Sequence, residues 1–187
     1  MILASQSPRR KELLRGLEIP FTIQTLDDID ESYPATLSKE EVALHICQKK
    51  AEAYRALLTP DAIIITADTI VAIDDRILGK PHDRAEAQAM LRSLSGRMHQ
   101  VYTAVSITTA QQCRSFIAET KVYFATLSDE EIAYYLDQHK PYDKAGSYGV
   151  QEWIGYVAVE RMEGSYFNVM GLPIHRLYRE LLQIAAP

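Results

Sequence analysis

Ala62-Ile63-Ile64-Ile65-Thr66-Ala67-Asp68-Thr69-Ile70-Val71-Ala72-Ile73 reads as the strongest strand in the 187-residue chain. Its apolar residues run on instead of alternating with polar ones. That pattern predicts burial on both faces and a central place in a sheet. Asp68 breaks the run. An ionised carboxylate there is costly without a partner, a metal or a water-filled cleft. Asp68 is therefore either held by structural hydrogen bonds or kept for chemistry.

Upstream, Ser38 and Glu41 form a capping box that opens a long helix reaching about Leu58. Its apolar stripe is Val42, Ile46, Ala53 and Leu57, with Lys50 near the middle of the stripe and Lys49 at its margin. An inward lysine either snorkels to water or meets an anion. Before this helix, Phe21 to Thr25 alternates as a strand does. The stretch Leu26 to Pro34 then carries Asp27, Asp28, Asp30 and Glu31. Either it is a solvated loop, or one or two of these carboxylates hold a divalent cation.

The chain begins with a short strand, Met1 to Ala4, that runs into a helix start at Ser5-Gln6-Ser7-Pro8-Arg9-Arg10. Ser7 is a good N-cap, Pro8 suits the first turn, Leu13 and Leu14 supply an apolar face, and Gly16 ends the helix. Unpaired backbone N–H groups at such a strand-to-helix junction can bind an anion. Arg9 and Arg10 are unfavourable at the positive end of a helix dipole unless an anion sits there, and guanidinium forks match phosphate oxygens. The alternative is an ordinary solvated first turn. There is no Walker loop.

Downstream, Leu78-Gly79-Lys80-Pro81 turns a second lysine in after the central strand. Asp83 and Glu86 cap a helix with Ala87, Met90, Leu91 and Leu94 inward, closed by Ser95-Gly96. Val101, Thr103, Val105 and Ile107 alternate in the first arm of a long hairpin, which turns near Ala110 to Gln112 and returns to about Thr126. His99 has no companion at metal spacing and reads as structural. Ser128 and Glu131 cap a further helix with Ile132, Tyr135 and Leu136 inward. Tyr142 to Gln151 is turn-rich and holds an Asp143-Lys144 pair and two glycines that permit close backbone approach. Tyr156 to Met162 reads as a strand and Gly164 to Gly171 as a loop. A closing helix starts at Pro173, with Ile174, Leu177, Leu181 and Leu182 inward.

Strands and helices thus alternate first, and a long hairpin with a mixed C-terminal portion follows. The pattern predicts an α/β protein with a mixed sheet and two lobes about a central cleft. Net charge is −5, which argues against a nucleic acid polymer and for a small anionic ligand at a local basic cluster. Cys47 and Cys113 have neither metal-ligand spacing nor a disulfide framework. No apolar run approaches the roughly 20 residues of a membrane span, and no signal peptide is legible. The expected compartment is the cytoplasm.

Several separated segments together resemble the Maf family of nucleoside triphosphate pyrophosphatases. They are Ser5 to Arg10, Ala67-Asp68-Thr69, Gly79-Lys80-Pro81, Ser95 to Val101, Asp143 to Gln151, and Gly164-Ser165-Tyr166 with Gly171-Leu172-Pro173. Their order is the family's, and they cover nearly the whole chain as one domain, residues 1–187. The resemblance implies an elongated, twisted mixed sheet flanked by helices, as in the inosine triphosphate pyrophosphatases. It also implies a divalent metal, Mg²⁺ or Mn²⁺, cleavage between the α and β phosphates, and a homodimer.

By the motif match, Asp68 takes the position of the proton acceptor and, with Glu31, that of the metal ligands. Ser5, Arg9, Lys50 and Lys80 fall on phosphate-handling positions, and local chemistry adds Arg10. The family's dTTP/UTP branch carries arginine after the proline, threonine after the aspartate and glutamine closing the Lys-Ala-Gly segment. This chain has Arg9, Thr69 and Gln151 there. The branch acting on 7-methyl-GTP typically has tryptophan, glutamine and glutamate. The implied substrates are dTTP and UTP, with modified pyrimidine triphosphates a further option and a role in cell division arrest suggested. One departure stands out: Glu152-Trp153-Ile154 follows Gln151, where the family usually runs through small residues and glycine. The rivals are a nucleotide-binding regulator of septum formation without turnover and a phosphatase that releases phosphate.

Overall fold

Short apolar strands at the N-terminus need partners to bury their backbone, and they find them in the central strand. In the computed structural model, which describes residues 1–185, β1 (Ile2–Leu3) runs parallel to β2 (Thr22–Ile23), with Leu3 opposite Ile23, and to β3 (Ile64–Ile73), with Leu3 opposite Ile65. Helix α1 (Pro8–Arg15) crosses between β1 and β2, and α2 (Lys39–Ala53) crosses between β2 and β3. These are the helical crossovers that parallel strands require. Strand β4 (Arg76–Leu78) folds back antiparallel on β3 through a turn at Asp74, whose φ is 51°.

Helix α3 (Arg84–Leu94) follows, then the hairpin of β5 (Met98–Thr108) and β6 (Cys113–Phe124). The hairpin turn is held by Thr109, whose hydroxyl accepts from the backbone N–H groups of Gln111 and Gln112 at 3.3 and 3.1 Å. Helices α4 (Asp129–His139) and α5 (Trp153–Ala158) lead to β7 (Val159–Glu163), antiparallel to β6. A short α6 (Tyr166–Val169) and the closing α7 (Ile174–Ala185) complete the described chain. The seven strands form one mixed sheet in the order β2-β1-β3-β5-β6-β7, with β4 on β3. The α/β class with a mixed sheet flanked by helices is thus as expected. Among the described residues no helix is long and apolar enough to cross a membrane.

The chain divides into two compact units. The first comprises Met1–Asp68, Thr103–Ala118 and the stretch from Gly171 onward; the second comprises Thr69–Tyr102 and Glu119–Met170. In the first, Leu3, Leu14, Ala43, Cys47, Ile64, Ile65 and Ile107 are buried. In the second, α3 packs on α4, and Ala87, Met90, Leu91, Leu94, Ile132, Tyr135 and Leu136 are buried. Both faces named for these two helices from the sequence are therefore the buried ones.

Several expectations need correction. Helix α2 ends at Ala53, not near Leu58, and a 3₁₀ turn, Arg55–Leu57, follows. Its buried face is Val42, Ala43, Ile46, Cys47 and Ala51, whereas Ala53 is exposed. Tyr54 caps the helix, and its hydroxyl accepts the Leu26 N–H at 2.7 Å. The Phe21–Thr25 strand shrinks to two residues, and Tyr156 to Ala158 belong to α5, so the last strand begins only at Val159. The Gly164–Gly171 loop contains α6, capped by Ser165, and Leu182 is exposed. Val101 to Thr108 is buried on both faces, not on one as alternation suggested, and β5 is an interior strand paired at both edges, by β3 and β6.

Candidate active site

The capping box at Ser38 and Glu41 sets the phase of α2: Ser38 Oγ accepts from the Glu41 N–H at 3.3 Å, and Glu41 Oε2 accepts from the Ser38 N–H at 2.8 Å. Lys50 then falls three and four residues after Cys47 and Ile46, on the buried face. Its ammonium cannot stay there alone. Nζ donates to Asp68 Oδ1 at 2.6 Å and lies 2.8 Å from Glu31 Oε1. Asp68 sits mid-strand in β3 and is only 8% exposed. Burial acts to lower the Lys50 pKa, but Asp68 and Glu31 outweigh it and hold the ammonium above its ordinary value. Of the two readings of an inward lysine, the structure has the anionic partner.

The acidic loop is sorted by the same helix. Lys49, at the margin of the stripe, takes Asp30 Oδ2 at 2.5 Å, while Lys50 takes Glu31. Asp30 also accepts from the Ser32 N–H and hydroxyl at 2.9 and 2.8 Å. The Lys49 hydrogen bond, with these two, keeps Asp30 well below the usual carboxylate range. Adjacent carboxylates thus have different tasks. Asp30 fastens the loop at the surface, and Glu31 is turned inward to Lys50.

At the start of α1, Ser7 caps as expected, its hydroxyl accepting from the Arg10 N–H at 3.5 Å. Ser5 is buried, and its hydroxyl accepts from the Ser7 N–H at 3.3 Å and from an Arg10 guanidinium nitrogen at 3.5 Å. Arg10 Nε donates to the Gly171 carbonyl at 2.7 Å, a tie across 161 positions that no local reading contains. Burial lowers the Arg10 pKa, and the negative charges of Asp68 and Glu31 act against that shift. Arg9 is half-buried in the same turn. Ser5, Arg10, Glu31, Lys50 and Asp68 therefore form one polar cluster in the first unit.

The remaining expected residues belong to the second unit. Lys80 is exposed in the loop after β4, and Thr69 is half-buried in β3. Gly79, beside Lys80, accepts the Gly146 N–H at 3.0 Å, which ties this loop to the Tyr142–Gln151 segment. Gly146 (φ 68°) and Ser147 (φ 60°) are both left-handed. A Cβ on Gly146 would lie 2.9 Å from Val71 Cγ1, so only glycine fits there. Gln151 is half-buried, and its side-chain oxygen is buried without a hydrogen-bond partner among the described residues.

His99 is buried, with Nε2 2.7 Å from the Tyr148 hydroxyl, and packs edge-on to the Phe124 and Tyr148 rings. Burial pushes its pKa down to about 3. Sequence reasoning missed one group here. Glu152, noticed only as a departure from the family pattern, accepts from the Tyr135 hydroxyl and pairs with Lys144 at 3.0 Å. Its position directly after Gln151 was the available signal.

Among the described residues no three His, Cys, Asp or Glu side chains are grouped as a metal cage. The donors on hand are Asp68 and Glu31, brought together around one cation, the Lys50 ammonium. Two carboxylates suit a Mg²⁺- or Mn²⁺-like ion that keeps several waters and takes its other ligands from substrate phosphates. The donor set fits such an ion.

The chain matches the family described as Maf-like protein over residues 1–184. A protein of Porphyromonas gingivalis named dTTP/UTP pyrophosphatase is 58% identical over 183 residues, 97% of this chain and 92% of that protein. A Bacteroides fragilis protein of the same name is 57% identical over 184 residues, covering 98% and 95%. One from Cytophaga hutchinsonii is 46% identical over 187 residues, covering 100% and 85%.

Proposed function

The chain belongs to the family of Maf-like proteins, and from that premise we propose that it is a pyrophosphatase hydrolysing dTTP and UTP to the nucleoside monophosphate and pyrophosphate. The observation that carries the reading is the buried Asp68 carboxylate joined through Lys50 to Glu31. A protein that only bound nucleotide would gain little from a carboxylate beside polyphosphate. One functional domain over residues 1–187 and a homodimer, both implied by the resemblance, and the cytoplasmic location expected from the sequence complete the proposal.

In this reading Lys50, Arg9 and Lys80 take phosphate oxygens. Ser5 and Arg10 brace the start of α1, where backbone N–H groups favour an anion. Asp68 orients a water and accepts its proton as the oxygen attacks the α-phosphorus, and the bond to the β-phosphate oxygen breaks. A divalent ion held by Asp68 and Glu31 would supply polarisation of the phosphate oxygens and neutralise developing charge. Lys50 has two carboxylates in the free protein and gains a third candidate partner when triphosphate arrives, so it can stabilise the charge that grows on the leaving pyrophosphate. No covalent intermediate is required, because no cysteine or Ser-His pair among the described residues is placed to form one. Thr69 and Gln151 are assigned to the pyrimidine edge, and Arg9 is shared with that selection.

The test is pyrophosphate release with Mg²⁺ or Mn²⁺ from dTTP, UTP, CTP, GTP, ATP and 7-methyl-GTP. Release from dTTP and UTP above the rest is expected. Preference for 7-methyl-GTP overturns the use made of Arg9, Thr69 and Gln151, and release of phosphate alone overturns the bond assignment.

A further inference from the structure

Gln151 is the one proposed base reader whose side-chain acceptor is buried without a partner among the described residues, and the chain on both sides of it is clamped. The Tyr135 hydroxyl, from α4, accepts the Gly149 N–H at 3.0 Å and donates to Glu152 Oε2. The other carboxylate oxygen of Glu152 lies 3.0 Å from Lys144 Nζ, and that ammonium is also 2.7 Å from Asp143 Oδ1. Glu152 further donates its backbone N–H to the Gly149 carbonyl at 3.0 Å and stands at the N-cap of α5. A Cβ on Gly149 would come within 2.9 Å of Glu152 Cδ and 3.0 Å of Lys144 Cε. Residue 149 must therefore be small for the clamp to close. Lys144 is 8% exposed, so the ion pair is largely withdrawn from water, where such a pair is strong only when its geometry is kept. Burial and the Glu152 carboxylate raise the Tyr135 pKa above its ordinary value, so the phenol keeps the proton it donates.

We propose that Tyr135, Glu152 and Lys144 are positioning residues for Gln151 and set the discrimination between thymine or uracil and cytosine. The inference rests on the pyrimidine reading above. Thymine and uracil present an N3–H donor, and cytosine presents an N3 acceptor. A glutamine amide is ambivalent: its oxygen suits the former and its NH₂ suits the latter. An amide whose backbone is held in one place can favour one of these pairings, and one on a loose loop can satisfy both. Glu152, bonded to Tyr135 on one oxygen and to Lys144 on the other, is the means of holding that place.

The experiment measures kcat and KM for dTTP and dCTP with wild-type protein, Glu152→Gln and Tyr135→Phe, the fold being monitored by circular dichroism and thermal unfolding. Glu152→Gln keeps shape and removes the charge; Tyr135→Phe removes only the hydroxyl. The expected result is a fall of about tenfold in the dTTP-to-dCTP ratio of kcat/KM in each variant. It should arise mainly from a higher KM for dTTP and a lower KM for dCTP, with kcat for dTTP little changed. The double variant should be no less selective than the worse single one, since both break one network. Wild-type discrimination that survives both substitutions, whatever happens to thermal stability, overturns the inference alone. Wild-type protein that releases pyrophosphate equally from dTTP and dCTP overturns the pyrimidine reading and the inference with it.

Discussion

Lys50 Nζ lies 2.6 Å from Asp68 Oδ1, with the two side chains only 15% and 11% exposed. A helix and a strand thus deliver opposite charges to one point from positions 18 residues apart. Removing the lysine takes from Asp68 and Glu31 the ammonium they share. Lys50→Met is expected to lower stability by ~1–3 kcal/mol, the cost of a buried acceptor left without its donor, and to reduce turnover. Lys50→Met combined with Asp68→Asn should unfold at higher denaturant than Lys50→Met alone. Additive losses in urea titrations of the three variants would argue against a coupled pair.

Asp68→Asn keeps the side chain's shape and its hydrogen bond to Lys50 while removing its basicity. Pyrophosphate release is expected to fall by about 10²–10⁴-fold, with the far-ultraviolet spectrum unchanged. Near-normal turnover in this variant would remove Asp68 from the base position.

His99 supplies an acid-sensitive element in the second unit. Its imidazole, enclosed by Phe124 and Tyr148, has a pKa of about 3 against an ordinary 6.5. The unfolded chain takes up a proton below about pH 6.5 that the folded chain refuses until about pH 3. Stability is therefore complete above that window and falls as pH drops through it, by up to ~1.4 kcal/mol per pH unit. Chemical unfolding from neutral pH down through the middle of that window should show this slope, and His99→Gln should flatten it while lowering stability at neutral pH.

Gly146 should tolerate no side chain. Its φ of 68° and the 2.9 Å separation between Val71 Cγ1 and the place a Cβ would take leave alanine both strained and crowded. Gly146→Ala is expected to cost ~2–3 kcal/mol. Gly146→Ala with Val71→Ala should recover the steric part but not the conformational part, as thermal unfolding of the pair would reveal.

Much of the local framework was legible because its causes are local. The capping boxes at Ser38 and Ser128, the Ser7 cap with Pro8, and the buried faces of α3 and α4 each depend on residues three or four apart. The inward setting of Lys50 was legible too, since helical phase is counted from the cap. Glu152 and Tyr135 were not. A glutamate after a glutamine carries no sign of a tyrosine 17 positions earlier, and Tyr135 fitted an apolar face equally well as core.

By itself the sequence determined the α/β class and the family, and it named the residues proposed for phosphate chemistry, because periodicity, caps and motif order survive without coordinates. Only the tertiary structure decided which carboxylate meets which lysine, Asp30 with Lys49 and Glu31 with Lys50. It also decided that Arg10 reaches the Gly171 carbonyl and that Tyr156 continues a helix instead of starting a strand. For the two ion pairs and the Arg10 tie the physical reason is common. A charged side chain is settled by whichever partner the chain brings within about 3 Å, and that partner lies beyond the reach of any local pattern.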